Sequence, residues 1–208
     1  SEKERQASLQ KLEDAYARQT MTEEELQSAY QMIDEIMAVP EVIHQQLIDA
    51  YKVYLVLGGM PEVVSTYLDT RNWSDVKTVQ GAILQSYSLD FAKHISNKDI
   101  PRVFQVWGNL QNQLAREDKK FRYADVQKGA RAREYEGAIE WLCLAGLVHR
   151  VSAIETPRLP LSAYKKDNAF KLYLNDVGLL GRKFDLDAAT VLMGDNLFTE
   201  FKGVMAEN

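Results

Sequence analysis

A chain of 208 residues, 46% hydrophobic and 26% charged, is long enough to bury a core and has an ordinary globular composition. Its apolar runs, VYLVLGGM and WLCLAGLV among them, are broken by glycine well short of the ~20 residues a membrane-spanning helix needs, which excludes one. The single cysteine, Cys143, excludes an intramolecular disulfide and a thiolate metal cluster, and the charged N-terminal stretch has no secretory apolar core, so a cytoplasmic setting is expected.

Periodicity before residue 100 reads as helical almost throughout. A helix is predicted over about 2–19. The T-x-x-E pair Thr22 and Glu25 forms a capping box ahead of Leu26, Ala29, Tyr30, Ile33 and Met37, which predicts an amphipathic helix over about 22–38. Pro40 suits the first turn of a third helix, whose broad apolar stripe of Val42, Ile43, Leu47, Tyr51, Tyr54 and Leu55 asks for a partner.

The stretch YLVLGGMPEVV follows. Gly58 and Gly59 stand where a helix end wants positive φ, and Pro61 stands where the next helix accepts a residue without an amide hydrogen. A phosphate loop would need G-x-x-x-x-G-K-[ST]. The lysine and hydroxyl are missing, and Glu62 would occupy the positive end of the second helix, so the stretch reads as a helix-to-helix corner.

Ser74 is expected to open a helix that buries Val76, Val79, Ile83, Tyr87 and Phe91, and another over about 99–116 carries Val103, Phe104, Trp107, Leu110 and Leu114. A short helix over 123–128 precedes one from Arg131 to Ala145, with Ala138, Ile139, Leu142 and Cys143 inward and Gly146 as its stop. LVHRVSAI reads as a strand, TPRLPLSAYKKDN as a long loop and FKLYLND as the returning strand. Asp176 is placed to cap a short helix through Leu180, and FDLDAATVLM and LFTEFKGVMAEN complete a helical tail that stops at Asn208 without a glycine or proline signal, as if the chain continued.

These elements predict a mainly α fold: a helical linker bundle over 1–97, a winged helix-turn-helix module with a small β-ribbon over 98–183, and a helical tail over 184–208 leading toward a further domain.

Charge is uneven along the chain. Residues 1–50 hold four basic and eleven acidic groups, while 116–133 hold seven basic groups against Glu117, Asp118 and Asp125. If the helix-turn-helix reads nucleic acid, Arg131 and Arg133 at the start of its second helix face base edges, with Lys119, Lys120, Arg122 and Lys128 along phosphates. The competing reading pairs those arginines with Glu134, Glu136 and Glu140 on a solvated face.

His44, His94 and His149 lack metal-ligand spacing. Asp185 and Asp187 read as helix-start residues rather than a catalytic pair. No nucleophile motif surrounds Cys143, so neither catalysis nor a bound cofactor is expected within these residues.

Four blocks, YLVLGGMPEVV, KKFRYADVQKGARAREYEGAIEWLCLAGLVHRV, PLSAYKKDNAFKLYLNDVGLL and LFTEFKGVMAEN, are together similar to the region downstream of the ATPase module in a large family of prokaryotic AAA-type ATPases. The resemblance covers roughly residues 40–208 and implies a domain of unknown function between an upstream P-loop domain, which would hold ATP and magnesium, and a downstream part resembling a restriction endonuclease. It matches Glu207 to a glutamate near the start of that downstream part, expected here to be without partners. The function that follows is a non-catalytic coupling or interaction module, with DNA binding by the winged helix as the alternative and self-association through the apolar stripes as a third possibility.

Overall fold

The computed structural model describes residues 2–17, 22–37, 41–96, 99–116, 118–193 and 196–208. It is mainly helical, with one two-stranded antiparallel ribbon among the described residues, and divides into two compact units, residues 1–50 and 51–208.

The first unit holds α1 (Glu2–Ala17), α2 (Glu23–Met37) and the opening turns of α3 (Glu41–Leu57). The capping box forms reciprocally: the Thr22 N–H donates to Glu25 Oε2 at 2.8 Å and the Glu25 N–H to Thr22 Oγ1 at 3.3 Å. Leu26 is buried, and the Tyr30 hydroxyl donates to Glu13 at 3.4 Å. Pro40 lies outside the described residues. The α3 stripe departs from expectation: Val42, Ile43, Leu47, Tyr51 and Tyr54 are exposed, and of the six residues only Leu55 is buried.

The second unit begins with the end of α3 and continues through α4 (Pro61–Thr70), α5 (Trp73–His94), α6 (Ile100–Leu114), α7 (Tyr123–Val126), α8 (Ala132–Leu144), β1 (Val148–Ile154), β2 (Lys165–Leu174), α9 (Val177–Lys183), α10 (Ala188–Met193) and α11 (Asn196–Glu207). The α5 start differs from expectation. Asn72 caps the helix, its side chain accepting from the Ser74 N–H at 3.0 Å, because an Asn side chain in extended backbone reaches the first free amides.

Phe91 on α5 centres the core, fully buried and meeting Trp107, Trp141 and Phe104 edge-on at centroid distances of 5.3–5.6 Å. The buried face of α6 is Val103, Val106, Trp107, Leu110, Gln113 and Leu114. Phe104, predicted for that face, is exposed, though its ring meets Phe91 in a T-shaped contact. Gln113 is buried in its place. Its amide accepts from the Arg122 N–H and donates to the Arg122 carbonyl, both at 3.0 Å, and so pins the segment leading into α7.

In the ribbon, Val148 pairs with Leu174, Arg150 with Leu172 and Ser152 with Phe170, so one face delivers Val148, Phe170, Leu172 and Leu174 to the core. The returning strand starts at Lys165, five residues before the expected Phe170, because the pairing resumes at Ile154 with Lys165 after an irregularity beyond Ser152. The long loop shrinks accordingly and contains a 3-10 turn over Leu161–Tyr164.

A joint between distant parts of the chain holds this unit together. Gly58 adopts φ +70 after α3, its N–H donating to the Tyr54 carbonyl at 2.8 Å, and Pro61 opens α4. The buried Asp176 carboxylate caps α9 by accepting from the Leu179 N–H at 2.8 Å and also accepts from the Gly59 N–H at 2.6 Å. A Cβ on Gly58 would stand 2.1 Å from Asp176 Oδ1, and one on Gly178 would stand 2.3 Å from the Leu57 carbonyl oxygen. Buried Gln80 donates to the Val56 carbonyl at 2.8 Å, satisfying the end of α3.

Candidate nucleic-acid interface

The basic cluster of residues 116–133 divides into two groups once folded. Lys119, at φ +48, donates to the Gly203 carbonyl at 3.0 Å and to Glu207 at 2.5 Å, and its side chain is only 14% exposed. Arg122 bonds Asp118 at 2.6 Å, and Arg116 is paired with Asp125. Lys119 is thus drawn into the fold, while Arg116 and Arg122 sit in solvent-exposed ion pairs.

Lys120, Lys128, Arg131 and Arg133 are exposed, and their side chains make no ion pair among the described residues. Three of them, Lys128, Arg131 and Arg133, span the turn from α7 into α8, in which Gly129 takes φ +82. The pairing of Arg131 and Arg133 with the α8 glutamates does not form. Glu134 instead accepts from the Arg131 backbone N–H at 3.0 Å, and Glu136 accepts from the Tyr123 hydroxyl at 2.7 Å and from Arg150. Burial opposes ionisation of Glu136, but its bonds from Arg150 and Tyr123 outweigh that and lower its pKa; burial and the same carboxylate push the Tyr123 phenol up.

Glu207 has partners, contrary to expectation. Lys119 donates to Oε2, and Lys171 and the Tyr173 hydroxyl donate to Oε1, each at 2.5 Å. These three donors hold its carboxyl down to about 2. Beside it, the Asn208 side chain copies a strand residue, accepting from the Leu174 N–H at 2.8 Å and donating to the Leu174 carbonyl at 3.1 Å. The last turn of α11 is thereby fastened to the free edge of β2.

The remaining chemical candidates sit in structural settings. Cys143 is half-buried and burial pushes its thiol up, which disfavours the reactive thiolate. Asp185 is not at a helix start: it follows α9 at φ +53 and pairs with Lys77 at 2.9 Å and Arg182 at 3.0 Å, leaving Asp187 to precede α10. His44, His94 and His149 are exposed, and no group of three or more His, Cys, Asp or Glu side chains able to hold a metal exists among the described residues. No helix among them is long and apolar enough to cross a membrane. Lys183 lies over the Trp107 ring at 4.5 Å, where burial pushes its pKa down to about 8.

Reading the sequence alone misses the second bond of Asp176 and the partners of Glu207. The N-D-V-G spacing signals the cap on α9, but nothing local signals a bond reaching back 117 residues to Gly59.

A family model described as Domain of unknown function (DUF8612) matches residues 48–190, more than half of the chain. The chain belongs to this family. The matched span lies almost wholly within the second unit and takes in the glycine corner, the basic turn, the ribbon and the Asp176 cap. No curated protein and no solved structure matches the chain.

Proposed function

We propose that the chain is a non-catalytic coupling or interaction module, the central part of a prokaryotic AAA-family ATPase of the cytoplasm. In this reading residues 98–183 form its winged-helix module, and ATP and magnesium are held by an upstream domain. The observation that carries the reading is the joint. The sequence blocks behind the family resemblance supply the residues that fasten separate elements: Gly58 and Gly59 from the first, Asp176 and Gly178 from the third, Glu207 and Asn208 from the last. Side chains of the kind that often do chemistry here tie the α3–α4 corner to α9, and α11 to the ribbon. A stiff connection of this sort suits an element that passes displacement between neighbouring domains, provided it has two discrete arrangements. Calorimetric titration of the chain with magnesium ATP is expected to give no binding heat, and measurable affinity would overturn the assignment of nucleotide to another domain.

Exposed Lys128, Arg131 and Arg133, without an ion pair among the described residues and set along the turn into α8, favour a second reading, in which the helix-turn-helix binds DNA. Duplex titrations at two salt concentrations should then show affinity that falls steeply with salt and is abolished by Arg131→Ala with Arg133→Ala. Binding that survives the double substitution dismisses this face.

A further inference from the structure

A cleft of ≈ 420 Å³ opens between the start of α6 and the turn that leads into α8. Arg102 and Lys128 bring positive charge to its wall, and Gln105, Gln127, Glu134 and Tyr135 also line it. Its volume falls in the range of small-ligand sites.

The polar groups in the cleft include a cluster of two glutamine amides around a tyrosine hydroxyl. The buried Tyr135 hydroxyl lies 2.7 Å from Gln105 Oε1 and 2.9 Å from Gln127 Oε1, and Gln105 Nε2 donates to Gln127 Oε1 at 3.2 Å. The Tyr135 hydroxyl has one proton to give and so donates to only one of these two oxygens, and the two glutamine amides stand side by side at the exposed rim of the cleft. Lys128 has no ion-pair partner among the described residues, while Arg102 shares its guanidinium with Asp99 at 3.0 Å. The one carboxylate in the wall, Glu134, is already bonded to the Arg131 N–H. A Cβ on Gly129 would meet nothing within 4 Å, so the wall is open there to a bulky tetrahedral group. Helices α6 and α8 both begin at this cleft, and their dipoles add a field of the same sign as the two cations.

We infer that this cleft is a phosphoryl-binding site, in which Lys128 and Arg102 supply charge and the Gln105 and Gln127 amides supply hydrogen bonds to the oxygens. The inference stands apart from the DNA reading, since the phosphoryl group can belong to a nucleic-acid backbone or to a free phosphorylated ligand.

The test uses inorganic phosphate as probe, titrated into the full chain at constant ionic strength and followed by backbone amide resonances. Saturable shifts centred on Arg102, Lys128 and Gly129 are expected. Arg102→Gln with Lys128→Gln should weaken binding by about tenfold or more, while Lys202→Gln, on exposed α11 surface, should leave it within about twofold. Should the double variant lose its native denaturation midpoint, the exposed Lys128→Gln alone provides the comparison. Shifts that never saturate, or an equal loss in Lys202→Gln, would overturn the site by reducing it to general attraction. Short duplex DNA is then added to the phosphate complex. Displacement assigns the phosphoryl group to a nucleic-acid backbone, and phosphate binding without any duplex affinity upholds the cleft while ending the DNA reading.

Discussion

Asp176→Ala is the sharpest probe of the joint. The carboxylate is buried and accepts from two backbone amides, Gly59 at 2.6 Å and Leu179 at 2.8 Å. Each bond to a charged acceptor contributes roughly 1.5–3 kcal/mol, and a buried N–H left unpaired costs about 1–3 kcal/mol, so these are two views of one loss and are not summed. Losing both bonds, the α9 cap among them, should cost about 3–5 kcal/mol, a large share of the ~5–15 kcal/mol that stabilises a domain. Asp176→Asn keeps one acceptor oxygen but turns an NH₂ group toward the other amide, so a smaller loss of roughly 1.5–3 kcal/mol is expected. Urea denaturation followed by circular dichroism measures both, read as a shift in midpoint at constant slope. A loss below about 1 kcal/mol in Asp176→Ala would refute the reasoning, because it would mean that water replaces the carboxylate without penalty.

Gly178→Ala places a methyl carbon 2.3 Å from the Leu57 carbonyl, a backbone atom that no side-chain rotation can move, and is expected to cost at least about 2 kcal/mol in the same assay; a neutral result would mean α9 can shift freely. The folded pKa of Glu207, about 2, lies below its ordinary 4.5, so its stabilising contribution is full above about pH 4.5 and is lost as pH falls toward 2. With 35% of the side chain exposed, that contribution should be no more than about 1 kcal/mol. Hydrogen exchange of α11 against pH should show the loosening, and Glu207→Gln should flatten the profile; an unchanged profile in the variant excludes the carboxylate as its source. Lys183 carries the opposite sign: its pKa of about 8 lies below 10.5, so burial of the charged amine costs stability below pH 8, and the cost is relieved as pH rises toward 10.5. Lys183→Met should raise the denaturation midpoint at pH 7, and a lowered midpoint would show that the contact with Trp107 outweighs desolvation.

Short-range chemistry was legible from the residues alone. The Thr22–Glu25 box, Gly58 with Pro61 at a helix corner, the Gly146 stop and Asp176 as a cap rest on bonds within a few residues, for which side-chain type and spacing suffice. The helical content, the β-ribbon and most of the α6 face follow from periodicity for the same reason. Tertiary structure decided what depends on who the distant neighbour is. Lys119 and Arg133 look equivalent in the sequence, yet one is spent on Glu207, 88 residues away, and the other stays exposed with no ion pair among the described residues. The α3 stripe was readable as apolar, but whether a partner covers it is a property of packing, and most of it stays exposed. Gly59 and Gly178 show the division most plainly: composition marks both as flexible, and only the fold shows that one gives its amide to Asp176 while the other lets α9 approach the backbone of Leu57.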